Sequence, residues 1–339
     1  MAVDGDRVPG GAEAVVLLCR PGFEAECAAE SGADPEDVCP GAGWVSVDGD
    51  AVAAARDFRS LVFARDRFFG QRFRIDDARD RISPLVGLAT DFGAVSTLWL
   101  QHPDSTEGRS LAKLCQRLQG RFEGSLREAG LLRAGGGRRL HVMFLDGTHG
   151  FIGVSQARDG AGWSMGIPRL RLPGAPSRSA AKLEEALLWF LGEDAGSILA
   201  SGMSAVDLGA APGGWTWVLA RRGLRVTAVD HGKLAPAADA AGAVRHLSAD
   251  AFTFRPPRPV DWMVCDVVDK PARTAELVHR WLSQGWCRHT MFNLKLPMKQ
   301  RHAEVTRLLS RLQGVAGTRI EARQLYHDRE EITVFASRR

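Results

Sequence analysis

The sequence predicts an α/β protein with a doubly wound sheet in its carboxyl-terminal half and smaller α+β domains before it. After residue 179, β-branched segments alternate with helical segments, which is the order of a parallel sheet covered by helices on both faces. Residues 205–215 read AVDLGAAPGGW, a buried-type strand followed by a glycine-rich turn and the start of a helix. Residues 14–145 mix short strands and helices without this regular alternation.

The composition is ordinary for a soluble globular protein. Of 339 residues, 45% are hydrophobic and 25% are charged, which leaves room for two or three domains. The net charge of +4 permits an anionic partner. Six scattered cysteines form no C-x-x-C pair and no zinc-ligand spacing, so we expect neither disulfides nor a metal site. Without a signal peptide, a long apolar run or an interface pattern, we expect a cytoplasmic monomer with no membrane contact.

The amino-terminal elements are short and of both kinds. Residues 1–12, rich in Gly and Asp, are predicted to be disordered. The segments that follow are predicted as strands at 14–19, 44–47 and 61–69 and as helices at 23–31 and 51–58. This order of elements indicates a small α+β domain.

A second set of elements begins near residue 80. The predicted elements are helices at 82–90, 108–118 and 122–129 and strands at 95–100 and 140–145. Four cations recur every four residues and therefore share one helical face: Arg109, Lys113, Arg117 and Arg121. Such a face can bind the phosphates of a nucleic acid, although many charged faces are only solvated. The residues alone leave both interpretations open.

A segment rich in glycine, proline and arginine at 155–178 separates these elements from the carboxyl-terminal half. It ends in Ser177-Arg178-Ser179, a predicted N-cap for a helix at 180–191. Beyond it, strands and helices alternate as in a doubly wound sheet. The strands are predicted at 205–208, 225–229, 261–265, 289–294, 319–325 and 331–336, and the helices at 214–222, 272–284 and 300–312.

The loop at 209–214 is predicted to bind a nucleoside cofactor. Its glycines let the backbone approach a ligand at the carboxyl end of a strand, because they carry no Cβ. The loop is neither G-x-G-x-x-G nor a P-loop, so it specifies no phosphate site. Asp230 follows the loop by about 20 residues, which is the offset at which a carboxylate contacts ribose hydroxyls in such folds. Asp250 lies further along the chain. These features favour S-adenosylmethionine, which contains adenosine but no phosphate.

Charged side chains occur at the ends of three later strands, where open α/β sheets bind their ligands. They are Asp266, Lys295 and the adjacent pair Glu330 and Glu331. Lys295 is flanked by leucines, and burial beside a second ammonium would disfavour its charged form. A neutral amine can accept the proton of a hydroxyl during methyl transfer. The same position also suits an ion-paired or snorkelling lysine, so the residue type alone does not decide its role.

Several longer segments can be compared with known families. They are 177–185 (SRSAAKLEE), 207–215 (DLGAAPGGW), Asp266 with Lys270-Pro271, 293–298 (NLKLPM), 326–334 (YHDREEITV), 17–24 (LLCRPGFE) and 165–170 (MGIPRL). Together they resemble the ribosomal RNA large subunit methyltransferase M family, over nearly all the chain after the first dozen residues. Members of that family methylate the ribose 2′-hydroxyl of one cytidine in bacterial 23S ribosomal RNA.

The resemblance implies a particular domain order. It implies a ferredoxin-like domain at 1–75 and a THUMP RNA-binding domain at 76–165. A linker at 166–178 would then lead to a Rossmann-like methyltransferase domain at 179–339. The THUMP assignment favours RNA contact by Arg109, Lys113, Arg117 and Arg121. The implied partner is therefore 23S ribosomal RNA.

The resemblance also implies a Lys-Asp-Lys-Glu tetrad, which falls on Lys182, Asp266, Lys295 and Glu331. Lys295 would be the general base, Lys182 and Asp266 would hold the hydroxyl, and Glu331 would orient the ammonium. Strand alternation allows only one of the two adjacent glutamates to face the site. The implied cofactor is S-adenosylmethionine, and its binding residues would be Ser179, Gly209, Ala210, Ala211, Pro212, Gly213, Gly214, Asp230, Asp250 and Asp266.

Other functions remain open from the residues. Carbon-5 methylation of cytosine needs a cysteine nucleophile, and Cys265 directly precedes Asp266, but successive strand residues face opposite sides. Methylation of an exocyclic amine would need an aromatic clamp that is missing after Asp266. A non-catalytic RNA-binding assembly factor is the principal alternative, and a small-molecule O-methyltransferase is another. The assembly factor would not need four charges at the strand ends.

Overall fold

The structure, a computed structural model, describes residues 13–48, 57–156, 159–239 and 242–338. The chain forms two compact units, Met1–Pro168 (unit 1) and Arg169–Arg339 (unit 2). The division between them falls inside the segment at 166–178 that is predicted as a linker. The predicted disorder of residues 1–12 and all but the last two residues of the predicted helix at 51–58 lie outside the described residues.

Unit 1 contains one seven-stranded mixed sheet in the order β2-β3-β1-β4-β7-β6-β5. Its strands are β1 (Ala14–Cys19), β2 (Val38–Gly41), β3 (Trp44–Asp48), β4 (Ala64–Arg74), β5 (Thr97–Gln101), β6 (Arg138–Phe144) and β7 (His149–Gln156). In the central strand β4, Phe69 pairs with Val15 of β1 on one side and with Val154 of β7 on the other. Strands from 1–75 and 76–165 therefore share one sheet, and the division into ferredoxin-like and THUMP domains stays a prediction.

The helices of unit 1 are α1 (Glu24–Ser31), α2 (Ile82–Ala89), α3 (Thr106–Ser110) and α4 (Ala112–Glu128). The prediction of separate helices at 108–118 and 122–129 is wrong. α4 runs without a break because Cys115, Phe122 and Leu126 lie on one face and pack together in the core. The first predicted helix, at 108–118, instead spans two elements, because α3 ends at Ser110 and α4 begins at Ala112.

Unit 2 contains a second seven-stranded sheet in the order β10-β9-β8-β11-β12-β14-β13. Its strands are β8 (Ser204–Leu208), β9 (Arg225–Val229), β10 (Val244–Leu247), β11 (Val260–Cys265), β12 (Cys287–Lys295), β13 (Thr318–Arg323) and β14 (Glu331–Arg338). The strands from β8 to β12 are parallel, and β14 joins β12 in an antiparallel pair. The order reverses between β8 and β11, which is where sheets of this kind bind ligands.

In the described part of unit 2, five helices pack around this sheet, and they include every helix predicted there. They are α5 (Ala180–Phe190), α6 (Ala195–Ile198), α7 (Gly214–Ala220), α8 (Pro271–Ser283) and α9 (Arg301–Gln313). Leu183 of α5 and Val218 of α7 share a buried cluster with Trp262 and Phe335 of the sheet. The predicted α/β fold is confirmed. Within the described ranges, every helix is too short or too polar to cross a membrane.

Candidate active site

Four charged side chains meet at one edge of the unit 2 sheet. Asp266 directly follows β11, and Lys295 is the last residue of the neighbouring strand β12. Glu331 begins β14, whose antiparallel register places it opposite Lys295. Lys182 reaches the same point from the start of α5. The pairing of strands, rather than closeness along the chain, therefore assembles this cluster.

These two lysines and two carboxylates, which we call the tetrad, form alternating ion pairs. Lys295 Nζ lies 3.2 Å from Asp266 Oδ1 and 3.5 Å from Glu331 Oε2. Lys182 Nζ lies 3.5 Å from Asp266 Oδ2 and also pairs with Glu331 Oε1. Each lysine contacts both carboxylates, so the four charges balance. The side chains are only 7% to 22% exposed, and solvent therefore screens their interactions weakly.

The charges within the tetrad determine the ionisation of two of its members. Burial lowers the pKa of Lys182, but the charges of Asp266 and Glu331 outweigh burial, and the net shift is upward. Burial raises the pKa of Glu331, but its contacts with Lys182 and Lys295 outweigh burial and lower it. Lys182 is therefore held as an ammonium and Glu331 as a carboxylate.

Three buried polar residues that are not among the predicted site residues support the tetrad. Asn293 Nδ2 donates to Asp266 Oδ1 at 2.9 Å, and Asn293 Oδ1 accepts from the Thr333 hydroxyl at 2.8 Å. The same hydroxyl lies 3.0 Å from Asp328 Oδ2, and burial raises the pKa of that carboxyl well above its ordinary value. Asn293 and Thr333 each lie two residues from a tetrad member on β12 or β14. This period-two spacing was the available sequence signal.

The two adjacent glutamates at the start of β14 have different surroundings. Glu331 contacts both lysines of the tetrad. Glu330 is 63% exposed, and its Oε2 accepts from Arg301 Nη2 at 3.0 Å. Of the two candidates, the structure therefore brings only Glu331 into the tetrad.

The glycine-rich loop lies next to the tetrad because β8 and β11 are neighbours. Gly209 has a φ of +76°, and a Cβ at this position would lie 2.6 Å from Val267 Cγ1. Gly213 has a φ of +108°, and a Cβ there would collide with the Cβ of Ala238. Both positions therefore require the absence of a side chain, as the sequence pattern predicts.

Ser179 belongs to the same cluster as the loop. Trp215 Nε1 donates to the Ser179 carbonyl oxygen at 3.0 Å, and a Cβ on Gly214 would collide with Ser179 Oγ. Within the loop, Gly213 N donates to the Ala210 carbonyl oxygen at 2.6 Å. The start of α5 and the loop are thus packed directly together.

Asp230 and Asp250 follow β9 and β10, the two strands beyond β8. Asp230 accepts hydrogen bonds from Ala211 N at 3.0 Å and from Gly232 N at 2.7 Å. Asp250 accepts one from Phe252 N at 3.0 Å. The structure therefore brings the loop, Asp230, Asp250 and the tetrad to one edge of the sheet, at and beside its switch point.

A buried carboxyl lies in the strand that leads into the loop. Asp207 of β8 accepts a hydrogen bond from the Thr216 hydroxyl of α7 at 2.6 Å. Burial raises the pKa of Asp207 to about 7, although the hydrogen bond from Thr216 opposes the shift. Asp207 is not among the predicted site residues, because its burial depends on the helix packed over it.

The Cys265 thiol is unsuited to act as a nucleophile. It is fully buried, and burial raises the pKa of its thiol to about 12. The thiol is therefore protonated near neutral pH, whereas a nucleophilic cysteine must be a thiolate.

The four cations predicted to share a helical face are divided in unit 1. Arg109 lies in α3, and its Nη2 lies 2.9 Å from Asp104 Oδ1. Lys113, Arg117 and Arg121 are exposed on α4 and have no ionic partner among the described residues. The structure thus leaves three of the four cations available on one helix.

Two family models match parts of the chain. Residues 80–156 match the model of ribosomal RNA large subunit methyltransferase M, N-terminal, and residues 175–289 match that of FtsJ-like methyltransferase. The ribosomal RNA large subunit methyltransferase M of Xanthomonas campestris pv. campestris strain B100 is 45% identical, over 96% of this chain and 99% of that protein. The protein of the same name from Alkalilimnicola ehrlichii is 47% identical, over 95% and 94%.

Among solved structures, that of TrmN from Thermus thermophilus covers 96% of this chain and 99% of that chain, with 17% identity and a TM-score of 0.36. The assignment to a family rests on the curated relatives, whose similarity extends over both units. The chain belongs to the ribosomal RNA large subunit methyltransferase M family of S-adenosylmethionine-dependent methyltransferases.

Proposed function

We propose that this protein methylates the ribose 2′-hydroxyl of a cytidine in 23S ribosomal RNA, with Lys295 as the general base. The observation that carries the proposal is the tetrad of two lysines and two carboxylates beside the glycine-rich loop. Alkylation of a hydroxyl requires removal of its proton, and an amine at this position is suited to accept it. The choice of a cytidine in 23S RNA rests on the family.

The residues around the loop fit S-adenosylmethionine. The segment at 209–214 contains no cation, and the acids Asp230 and Asp250 follow on adjacent strands. Carboxylates accept hydrogen bonds from ribose hydroxyls and amines but repel phosphates. When bound, the cofactor supplies an electrophilic methyl group on a positively charged sulfonium. We assign its binding to Ser179, Gly209, Ala210, Ala211, Pro212, Gly213, Gly214, Asp230, Asp250 and Asp266.

The proton transfer is assigned to one lysine. Lys182 keeps its proton because its ion pairs raise its pKa, so it is suited to donate a hydrogen bond to the hydroxyl oxygen while Asp266 holds its ammonium in place. The ammonium of Lys295 first releases its proton to solvent, and the resulting neutral amine accepts the hydroxyl proton while the oxygen gains the methyl group. Glu331 then stabilises the ammonium that forms on Lys295. General-base catalysis of this kind contributes about 10²-fold to 10⁴-fold in rate.

Two alternatives are less consistent with the site. Carbon-5 methylation would need a thiolate, and the buried thiol of Cys265 is disfavoured in that form. An assembly factor without activity would have no use for four weakly solvated charges, because their desolvation costs free energy. The tetrad therefore favours catalysis on a hydroxyl.

We further propose that α4 contributes to binding the ribosomal RNA. Lys113, Arg117 and Arg121 are exposed and available, whereas Arg109 is already engaged by Asp104. Cations in register on one helix can neutralise successive phosphates. A monomeric state and a cytoplasmic location remain predictions.

The experiment that tests the proposed function locates the transferred methyl group. The protein is incubated with S-adenosylmethionine carrying a tritiated methyl group and with an unmodified 23S transcript, and the RNA is digested to nucleosides. We expect the label in 2′-O-methylcytidine at a single mappable position. Label in 5-methylcytidine would reject the mechanism, and RNA binding without any label would favour the assembly factor.

A further inference from the structure

Two strongly exposed apolar side chains lie on the loops that carry the tetrad. Val268 is 88% exposed and Met298 is 92% exposed. Val268 comes two residues after Asp266, and Met298 comes three residues after Lys295. Among the described residues, the other large apolar side chain that is exposed is Leu188 of α5, at 42%. The two most exposed members of this group therefore both adjoin the tetrad.

The strand ends bring these two loops together. β11 and β12 are parallel neighbours, so the loops that follow them leave the same edge of the sheet. Asn293 Nδ2 and Lys295 Nζ of β12 both donate to Asp266 Oδ1, at 2.9 Å and 3.2 Å. The segments 266–270 and 295–300 therefore begin in direct contact, with the tetrad at their base.

Each of these apolar side chains has an exposed lysine close to it in sequence. Lys270 follows Val268 by two residues, and Lys299 is adjacent to Met298. Neither lysine has an ionic partner among the residues that the structure describes. A nucleotide in single-stranded RNA offers an apolar base face next to a charged phosphate. The repeated pattern of an apolar side chain and a cation matches that chemistry.

We propose that Val268 and Met298 form an apolar binding surface for the base of the nucleotide whose ribose is methylated. Lys270 and Lys299 would then lie near the flanking phosphates. This inference rests on the proposed function, because it takes a ribose at the tetrad as the reacting group. Packing of the base against the two side chains holds the ribose so that its 2′-hydroxyl meets Lys295. Val268 and Met298 are therefore positioning residues.

A double-mutant cycle that removes the base from the RNA and the two apolar side chains from the protein tests the proposal. One 23S transcript carries the intact cytidine at the mapped position, and a second carries an abasic ribose there with its 2′-hydroxyl retained. We expect the wild-type protein to lose about tenfold or more in kcat/KM on the abasic RNA, because the apolar surface that the base would bury is missing. The Val268→Ser/Met298→Ser variant should lose a similar factor on intact RNA and little more on abasic RNA.

The control is Leu188→Ser, which makes a comparable change at an exposed apolar side chain outside the two loops. We expect it to behave as wild type on both RNAs, and all variants should keep the wild-type affinity for S-adenosylmethionine. If the losses in kcat/KM from the double variant and from the abasic RNA multiply independently, the proposed base contact is wrong. Wild-type kinetics of the double variant on intact RNA would also contradict it. A loss seen only on ribosomal particles would instead assign the two side chains to a protein partner. Absence of ribose methylation by wild type would refute the proposed function itself.

Discussion

Lys182 and Lys295 contact the same two carboxylates, but their positions in the fold differ. Lys182 comes from a helix and keeps its proton, because Asp266 and Glu331 raise its pKa against the effect of burial. Lys295 ends a strand at the point where the segments 266–270 and 295–300 begin. In the mechanism that we propose, the fixed ammonium of Lys182 holds the hydroxyl and Lys295 accepts its proton.

The buried carboxyl of Asp207 predicts a pH dependence of stability. Its pKa rises from 3.8 in the unfolded chain to about 7 in the folded protein. Between about pH 4 and pH 7, ionisation therefore favours the unfolded chain, and wild-type stability falls as the pH rises. Asp207→Asn removes this effect, so its free energy of unfolding relative to wild type should rise over that range, by on the order of 4 kcal/mol.

Chemical denaturation of both proteins at pH 4, 5.5, 7 and 8.5 measures this difference. The difference in free energy of unfolding between the variant and wild type should level off above about pH 7, where the Asp207 carboxyl is ionised in both the folded and the unfolded state. A difference between the two proteins that does not change with pH would contradict the assignment of a raised pKa to Asp207.

The charged side chains at strand ends were predicted from the sequence, whereas the polar side chains that form hydrogen bonds around them were not. Strand alternation correctly limited the tetrad to one of Glu330 and Glu331, but it did not say which one, because that depends on the register with β12. The hydrogen bond between Asn293 and Thr333 depends on the pairing of β12 with β14. Hydrogen bonds between strands distant in sequence leave little trace in composition.

The exposed face of α4 predicts a salt-dependent contribution to RNA affinity. Replacing Lys113, Arg117 and Arg121 together by alanine should weaken binding of the 23S transcript and reduce the slope of log K against log salt. The reduction should be about 2 to 3, because each lost phosphate contact removes about 0.7 to 0.9. Binding titrations between low and moderate salt measure the slope.

A matched control is the double variant Arg74→Ala/Arg79→Ala, which removes exposed arginines that are already paired with Asp76 and Asp77. Its slope should change less than that of the α4 variant. An α4 variant with the wild-type slope would remove this face from the RNA contact.

The glycine-rich loop predicts a stability difference between two glycines of unit 2. Gly213→Ala places a Cβ at a φ of +108° and against Ala238, so it should destabilise the protein by about 1 to 3 kcal/mol. Gly196→Ala, in α6, meets open space and should be neutral or stabilising by up to about 1 kcal/mol. Denaturation of the two variants provides the test, and equal stabilities would contradict the account of the loop.

Prediction of elements failed where glycine or proline interrupted the pattern or where a strand was short and lay at a sheet edge. β2, β7 and β10 were not predicted: β2 contains Pro40, β7 contains two glycines, and β10 is a short strand at the sheet edge. The predicted break in α4 fell near Gly120, which is exposed within the helix. There the buried stripe of the helix outweighs the low helix propensity of glycine.

The whole molecule joins two units of comparable size, each with a seven-stranded sheet. The linker predicted at 166–178 contains the division between them, because its glycines and prolines interrupt regular structure. The single sheet of unit 1 was not evident from the sequence, since it depends on β4 pairing with β7 across a long segment of chain. The parallel arrangement of β8, β9, β11 and β12 in unit 2 was evident from the sequence, because alternation of strands and helices implies it.

The measurement that tests the central claim most directly is the single-turnover rate of methyl transfer by Lys295→Ala, together with its affinity for S-adenosylmethionine. We expect a rate lower by about 10²-fold or more and an affinity within about threefold of wild type. Arg225→Ala, at the amino end of β9, should retain the wild-type rate. A Lys295→Ala variant with the wild-type rate would contradict the assignment of the base.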